Sequence, residues 1–233
     1  MDIATSTALV TGANRGLGRA LAAELLSRGA KVYAAARNPD SVDLPGAVPL
    51  ALDITDPASV AAAAKATGDV TLLINNAGIS TSTPLLTGEL AKIQLEMNTH
   101  YFGTLDVIRA FVPQIEARGG GAVFNVLSVL SWCAADSSTG AYSAAKGAEW
   151  QLTNALRLEL APRGIRVSGL HVGYIDTEMA AHVTAPKANP ADIAKLTVEG
   201  IAADDYEVIA DDLTRKIRAG LSVGVGAIYP NLV

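Results

Sequence analysis

Tyr142 and Lys146 stand four residues apart, and on a helix that spacing puts two side chains on one face, a turn apart. A phenol ordinarily loses its proton near pH ~10. An ammonium close by favours the phenolate and lowers that value. A drop of about 2–3 units corresponds to roughly 3–4 kcal/mol, and a phenol so tuned is an acid or base usable near neutrality. Ser128 follows an apolar run, residues 121–127, that reads as a buried strand. Its hydroxyl could hydrogen-bond the same substrate oxygen. The simpler alternative is that Tyr142 packs, Lys146 is a solvated charge and Ser128 ends a strand.

The elements that must position these side chains are recognisable along the chain. Residues 140–160 read as a helix carrying Ala144, Ala145, Ala148, Leu152, Ala155, Leu156 and Leu160, ended by Pro162-Arg163-Gly164. Residues 5–11 are an apolar strand. Gly12-Ala13-Asn14-Arg15-Gly16-Leu17-Gly18 follows, then a helix over 19–28 closed by Gly29. Strand, glycine turn, helix is the context in which glycines signal dinucleotide binding. Gly12 permits the turn, Gly16 lets the backbone approach phosphates and Gly18 lets the helix pack close. The helix N-terminus then offers free N–H groups to a pyrophosphate. The spacing Gly-x-x-x-Gly-x-Gly departs from the commoner Gly-x-Gly-x-x-Gly, and a tight turn without a ligand is the other reading.

Residues 31–36 read as the second strand, with Arg37 directly after it. An acidic residue there would bind a ribose 2′-hydroxyl, whereas an arginine pairs with a 2′-phosphate. Arg15 in the glycine turn could reach the same phosphate. Two arginines and no acid over residues 31–38 point to NADP rather than NAD. Residues 48–52 are a short strand ending at Asp53, and Asp56 caps a helix to about residue 66 with Pro57 at its first position. Residues 70–74 are the fourth strand, ending in Asn75-Asn76-Ala77-Gly78. Residues 89–97 and 99–118 read as one long helix interrupted near Asn98, an indifferent helix former that is either solvent-facing or kept for a purpose. Residues 165–171 are the sixth strand. Residues 206–210 form a short seventh, and Asp211 caps a helix to about residue 221.

The alternation predicts an α/β fold, a parallel sheet with helices on both faces. Ligands of such sheets bind at the carboxyl ends of the strands, where Gly12, Arg37, Asp53, Asn76 and Ser128 would gather. The 233 residues suit one large domain, and 50% hydrophobic residues suffice for its core. A net charge of −5 with scattered basic residues leaves no nucleic-acid footprint. The lone Cys133 excludes an internal disulfide and fits a reducing compartment, with a buried apolar role for the thiol. The start Met1-Asp2-Ile3-Ala4 does not read as a signal peptide. Asn75, Asn76, Gly78 and Pro84 interrupt the uncharged residues 70–88, which argues against a membrane span. A soluble cytoplasmic protein is expected.

Taken together, residues 11–18, residues 75–78, Asn98, Ser128, Tyr142 and Lys146 resemble the short-chain dehydrogenase/reductase family in its compact single-domain branch, over residues 4–209 or so. The resemblance implies a three-layer, doubly wound Rossmann-type fold whose seven-stranded parallel sheet runs 3-2-1-4-5-6-7. It also implies hydride transfer to a carbonyl. By motif, Asn98, Ser128, Tyr142 and Lys146 match the family's catalytic four. Tyr142 would be the proton donor, Ser128 would polarise the carbonyl, Lys146 would tune Tyr142 and hold the nicotinamide ribose, and Asn98 would support a relay water. Gly12, Asn14, Arg15, Gly16, Leu17, Gly18 and Arg37 would line the NADP site. Asp53 and Ile54 would meet the adenine, and Asn76, Ala77 and Gly78 the adenosine ribose. The family's Pro-Gly after strand six is Val172-Gly173 here, which keeps a nicotinamide contact through the backbone of Val172 and Gly173 and leaves Thr177 to bind the carboxamide or phosphate. The Ser128–Tyr142 gap is about one residue longer than the family pattern, so Ser131 is a rival to Ser128.

By the same resemblance, residues 174–205 or so would close over the substrate. Leu130, Trp132, Tyr174 and Met179, with Ile175, His182 and Leu85, would line an apolar pocket. His171 and His182 read as packing or surface residues, and the three histidines show no metal-ligand spacing. The resulting expectation is an NADPH-dependent reductase of small apolar carbonyls, reversible as an alcohol dehydrogenase. A 3-oxoacyl-carrier ketoreductase and a non-catalytic NADP sensor are the rivals. A homo-oligomer, dimer or tetramer, is expected from the family's habit of pairing the two long helices. The alanine-rich face of the second would allow close approach, although it could equally pack within the monomer.

Overall fold

The computed structural model describes residues 1–231 of the chain. Seven short apolar runs form parallel strands: β1 (Thr7–Thr11), β2 (Lys31–Ala36), β3 (Val48–Ala51), β4 (Leu72–Asn75), β5 (Gly121–Val126), β6 (Ile165–His171) and β7 (Glu207–Ile209). Their order is β3-β2-β1-β4-β5-β6-β7, the doubly wound Rossmann-type sheet expected. Helices α1 (Gly16–Ser27), α2 (Pro57–Ala66), α3 (Leu90–Met97), α4 (Thr104–Ala117), α5 (Gly140–Leu160), α6 (Pro190–Ala202), α7 (Asp212–Gly220) and α8 (Val225–Ile228) connect and follow them.

The inner strands are buried on both faces, whereas the edge strand β3 is largely exposed, and the two-residue alternation divides them. Ala8, Val10, Val32, Ile74 and Phe124 point to the layer containing α1 and α6, against Leu21, Leu25, Ile193 and Val198. Leu9, Leu73, Val123 and Val167 point to the opposite layer, against Ile108, Phe111, Leu152 and Leu156 of α4 and α5. The chain reverses its winding between β1 and β4, so their carboxyl ends open a crevice. Asn76 sews that crevice at its base. The amides of Asn76 and Ala77 each donate to Thr11 Oγ1 at 2.9 Å, and Asn76 Nδ2 donates to the Thr11 carbonyl at 2.9 Å.

Three local expectations change. Helix α1 begins at Gly16, inside the glycine turn rather than after it. The break at Asn98 is a π-helical segment, Asn98–Gly103, that joins α3 to α4 without ending the helix. The segment expected to close over the substrate is shorter than residues 174–205. Ile193, Ala194, Val198 and Ile201 of α6 are buried in the core with α1, so only residues up to 189 remain irregular, pinned by a bridge between Ile175 and Ala188. No helix among the described residues is long and apolar enough to cross a membrane.

Gly18 is the tightest point of the glycine turn. A Cβ there would sit 2.2 Å from the Gly12 carbonyl oxygen and 2.4 Å from Asn76 Nδ2. Gly18→Ala must push α1 off the crevice base. The expected cost is about 1–3 kcal/mol, read as a drop in thermal midpoint of roughly 2–4 °C per kcal/mol. An unchanged midpoint would contradict this packing.

Candidate active site

Each residue expected at the crevice follows a parallel strand: Gly12 after β1, Arg37 after β2, Asp53 after β3, Asn76 after β4, Ser128 after β5 and Val172 after β6. Parallel pairing therefore puts them on one edge of the sheet. Arg15 stands at the N-cap of α1 and caps no amide with its side chain, and the first turn holds no acidic residue. The opening N–H groups of α1 are thus left to an anion. Gly16 has φ +54°, and the methyl carbon of Thr177 lies 3.2 Å from where its Cβ would be. Thr177 accordingly stands over the turn. Leu17 and Ile54 are buried beneath the edge, whereas Asn14 and Ala77 are partly exposed on it. Arg37 is exposed. Hydrogen bonds from the Thr55 hydroxyl and amide hold the Asp53 carboxyl below its usual range, with Arg37 contributing its charge. A glycine turn with open amides, a hydroxyl over it and arginines at its side fits the phosphates and ribose of a dinucleotide.

Two backbone groups after β6 are engaged within the protein. The Val172 carbonyl accepts from the Val129 amide at 3.0 Å, and the Gly173 amide donates to Asp211 Oδ2 at 2.7 Å. Arg15 is paired with Glu178 on the irregular segment.

Helix α5 presents Tyr142 and Lys146 toward the end of β5. The Ser128 hydroxyl stands near enough to the phenol to favour its ionised form. The two serines are told apart by their partners. Ser131 is buried and its Oγ accepts from the Ser128 amide at 3.2 Å, closing a capping turn over Val129–Ser131. Ser128 Oγ accepts from Leu130 N at 3.1 Å and stays on the phenol side.

Lys146 does not act alone on Tyr142. Its ammonium is buried, donating to the Val126 carbonyl at 2.8 Å and to Glu149 Oε2 at 2.7 Å. The expected lowering of the Tyr142 pKa is corrected: burial raises it, Lys146 and Ser128 oppose, and Glu149 and Glu96 add to the rise. Glu149 was missed, although its place three residues after Lys146 signals a pair on one helix face.

Asn98 opens the π segment and is exposed. His100, two residues further on, stands against Tyr142, ring centroids 5.3 Å apart and planes at 86°. The π segment sets which residues of this helix face inward, and such segments are frequent at functional sites. The available signal was Glu96, His100 and Thr104 at four-residue intervals, all buried in the fold.

Trp132 is half-buried and packed against other side chains. Its indole stacks on His171 (3.9 Å, 20°), meets Trp150 edge-on at 6.3 Å and lies under Arg218. Leu130 is half-buried, while Tyr174 and Met179 are exposed on the irregular side. His182 is exposed.

A glycine turn at the switch point, with a phenol–ammonium helix at the end of a neighbouring strand, defines a Rossmann-type oxidoreductase. The chain belongs to the short-chain dehydrogenase family, whose model matches residues 6–188. It is similar to oxidoreductase UcpA of Escherichia coli, 31% identical over 219 residues, 89% of this chain and 83% of the relative. It is also similar to 1-deoxy-11-beta-hydroxypentalenate dehydrogenase of Streptomyces exfoliatus, 30% identical over 227 residues, 91% of this chain and 82% of the relative. Among solved structures it resembles a short chain dehydrogenase from Burkholderia cenocepacia in complex with NADP. That likeness has 39% identity and a TM-score of 0.94, covering 100% of this chain and 99% of the other.

His171, behind the site, is fully buried, and its pKa is pushed from 6.5 down to about 4. Burial is the main cause, opposed by the Ser128 carbonyl and Glu207. Below pH ~6.5 the unfolded chain binds a proton that the folded one refuses, so stability falls as pH drops toward ~4. Urea unfolding should lose roughly 2 kcal/mol between pH 7 and pH 5 through this group. His171→Phe should flatten that part of the slope; an equal slope in the variant would refute the assignment.

Proposed function

We propose that the protein is an NADPH-dependent reductase of small, apolar carbonyl compounds, running backwards as an alcohol dehydrogenase. The observation that carries this reading is the placement of Tyr142 between Ser128 and Lys146, on the same sheet edge as the open amides of α1. NADP rather than NAD is supported by Arg15 and Arg37, with no acidic residue over 31–38. The Burkholderia relative in complex with NADP supports the same choice.

A nicotinamide dinucleotide held at the Gly12–Gly18 turn would supply the hydride for the carbonyl carbon. The Tyr142 phenol gives its proton to the carbonyl oxygen, which the Ser128 hydroxyl holds and polarises. Lys146, fixed by the Val126 carbonyl and Glu149, faces the phenol ring and would hold the nicotinamide ribose. Leu130, Tyr174 and Met179 provide apolar surface on the substrate side. Asn98, exposed at the start of the π segment, would support a relay water beside the phenol. A second copy of the chain fits the groove between α4 and α5, where Met97, Tyr101, Leu105, Ala148 and Ala155 form an apolar wall, and the reading includes a dimer or tetramer.

The test is ketone-dependent loss of reduced-nicotinamide absorbance, with NADPH and then NADH, over a panel of apolar and aromatic ketones. Tyr142→Phe should lower turnover at least ~10²-fold, with cofactor binding retained. Arg37→Ala should lower the NADPH/NADH preference about tenfold or more, because it removes a charge-assisted pair. Tight NADPH binding without turnover on any carbonyl would overturn the reductase reading.

A further inference from the structure

Tyr142 is surrounded by more ionisable groups than a phenol and an ammonium. From α5 itself come Lys146 and Glu149, from α3 Glu96, from the π segment His100, and from the end of β5 the neutral hydroxyl of Ser128. Lys146, Glu149, Glu96 and His100 are each at most 4% exposed. Glu149 is the hub. Its Oε2 accepts from Lys146 at 2.7 Å and lies 3.9 Å from His100 Nδ1, and its Oε1 accepts from Thr104 Oγ1 at 3.5 Å. Lys146 Nζ is 5.9 Å from the centre of the Tyr142 ring. The ammonium is therefore closer to a carboxylate than to the phenol it faces.

The second carboxylate stands behind the imidazole. His100 Nε2 lies 2.9 Å from the Ile79 carbonyl oxygen and 3.3 Å from Glu96 Oε2, and Glu96 Oε1 accepts from the Thr81 amide at 2.6 Å. The ring has no freedom to leave. A Cβ on Gly78 would be 2.6 Å from His100 Cε1, so the backbone touches one edge while Tyr142 meets the ring edge-on. His100 thus separates Glu96 from Glu149 and keeps both where their charge reaches the phenol.

We propose that Glu149, with Glu96 behind His100, is a positioning carboxylate that takes up the charge of Lys146 and holds Tyr142 in its protonated form to higher pH than Lys146 alone would allow, in both directions of turnover. This rests on the reductase reading for its effect on turnover, but the electrostatic statement stands on the apoprotein. Two buried carboxylates and one buried ammonium leave the surroundings of the phenol unfavourable to a phenolate. The raised Tyr142 pKa agrees, with burial as its first cause and Glu149 next among those that raise it. A site with Lys146 alone would favour the phenolate, which is the form that alcohol oxidation needs as its base.

The experiment uses Glu149→Gln, which keeps the shape and an oxygen acceptor for Lys146 but removes the charge. Phenolate absorbance is followed against pH in the cofactor-free protein, for wild type and Glu149→Gln, each with a Tyr142→Phe partner to isolate Tyr142. The Tyr142 titration should move down by about one pH unit or more. In turnover, the high-pH fall of ketone reduction and the rise of alcohol oxidation should both move down by the same amount. Glu149→Asp should restore the wild-type profile. Glu96→Gln should move the titration in the same direction but less, and it gives the answer should Glu149→Gln fail to fold. A Tyr142 titration that stays in place or moves up would overturn the proposal. Absence of turnover in the wild type would count against the reductase reading alone, because the apoprotein titration still decides this one.

Discussion

A lysine ammonium taken out of water must find partners inside the protein, and Lys146 finds them in the last carbonyl of β5 and in Glu149 one turn further along its own helix. Removing one member of such a buried pair costs about 3–5 kcal/mol, so the pair fixes how deep α5 sits on the sheet. Tyr142, a turn earlier, inherits that depth. A ladder of buried amides repeats the constraint: Asn75 donates to Asn125 at 2.8 Å, Asn125 to Thr153 at 2.8 Å, and Thr153 to the Glu149 carbonyl at 2.8 Å. Strands β4 and β5 and helix α5 are thereby joined through polar groups that have no water to fall back on.

The edge of the sheet carries two kinds of structure. The phenol, the serine and the glycine turn stand on strand ends and helix starts, held by hydrogen bonds from buried partners. The residues from Tyr174 to Asn189 are held by a single bridge, a few turns and surface ion pairs. Chemistry thus rests on the rigid part, and access to it is shaped by a stretch without a buried residue, the usual division between scaffold and loop.

The fold was legible because its signals are local. Apolar runs of strand length, glycine and proline punctuation and the Asp56 and Asp211 caps each act over a few residues, and their alternation predicts a parallel sheet with helices on both faces; the strand order is what the family resemblance implies. The site was legible wherever a residue follows a strand end closely, as with Gly12, Asn76 and Ser128. It failed where position depends on a hydrogen-bond register that spacing does not reveal. The spacing around Asn98 does not reveal the π segment that sets His100 against Tyr142. Nor does it reveal that Trp132 packs on His171 and under Arg218, which come from distant parts of the chain. The sign of the Tyr142 shift was misjudged because one neighbour was weighed and the carboxylate beside it was not.

The pair between Arg15 and Glu178 joins the glycine turn to the irregular segment, yet both side chains are largely exposed, at 65% and 73%. An exposed pair of this kind contributes about 0–1 kcal/mol and is weakened by salt. It behaves as an exchangeable clasp. Any anion that competes for the Arg15 guanidinium releases Glu178, and with it one of the ties on residues 174–189. Reciprocity follows from thermodynamic linkage: whatever draws Glu178 away leaves Arg15 readier for an incoming anion. Ionic strength therefore acts on the looseness of the mouth and on the grip of the turn through the same two side chains.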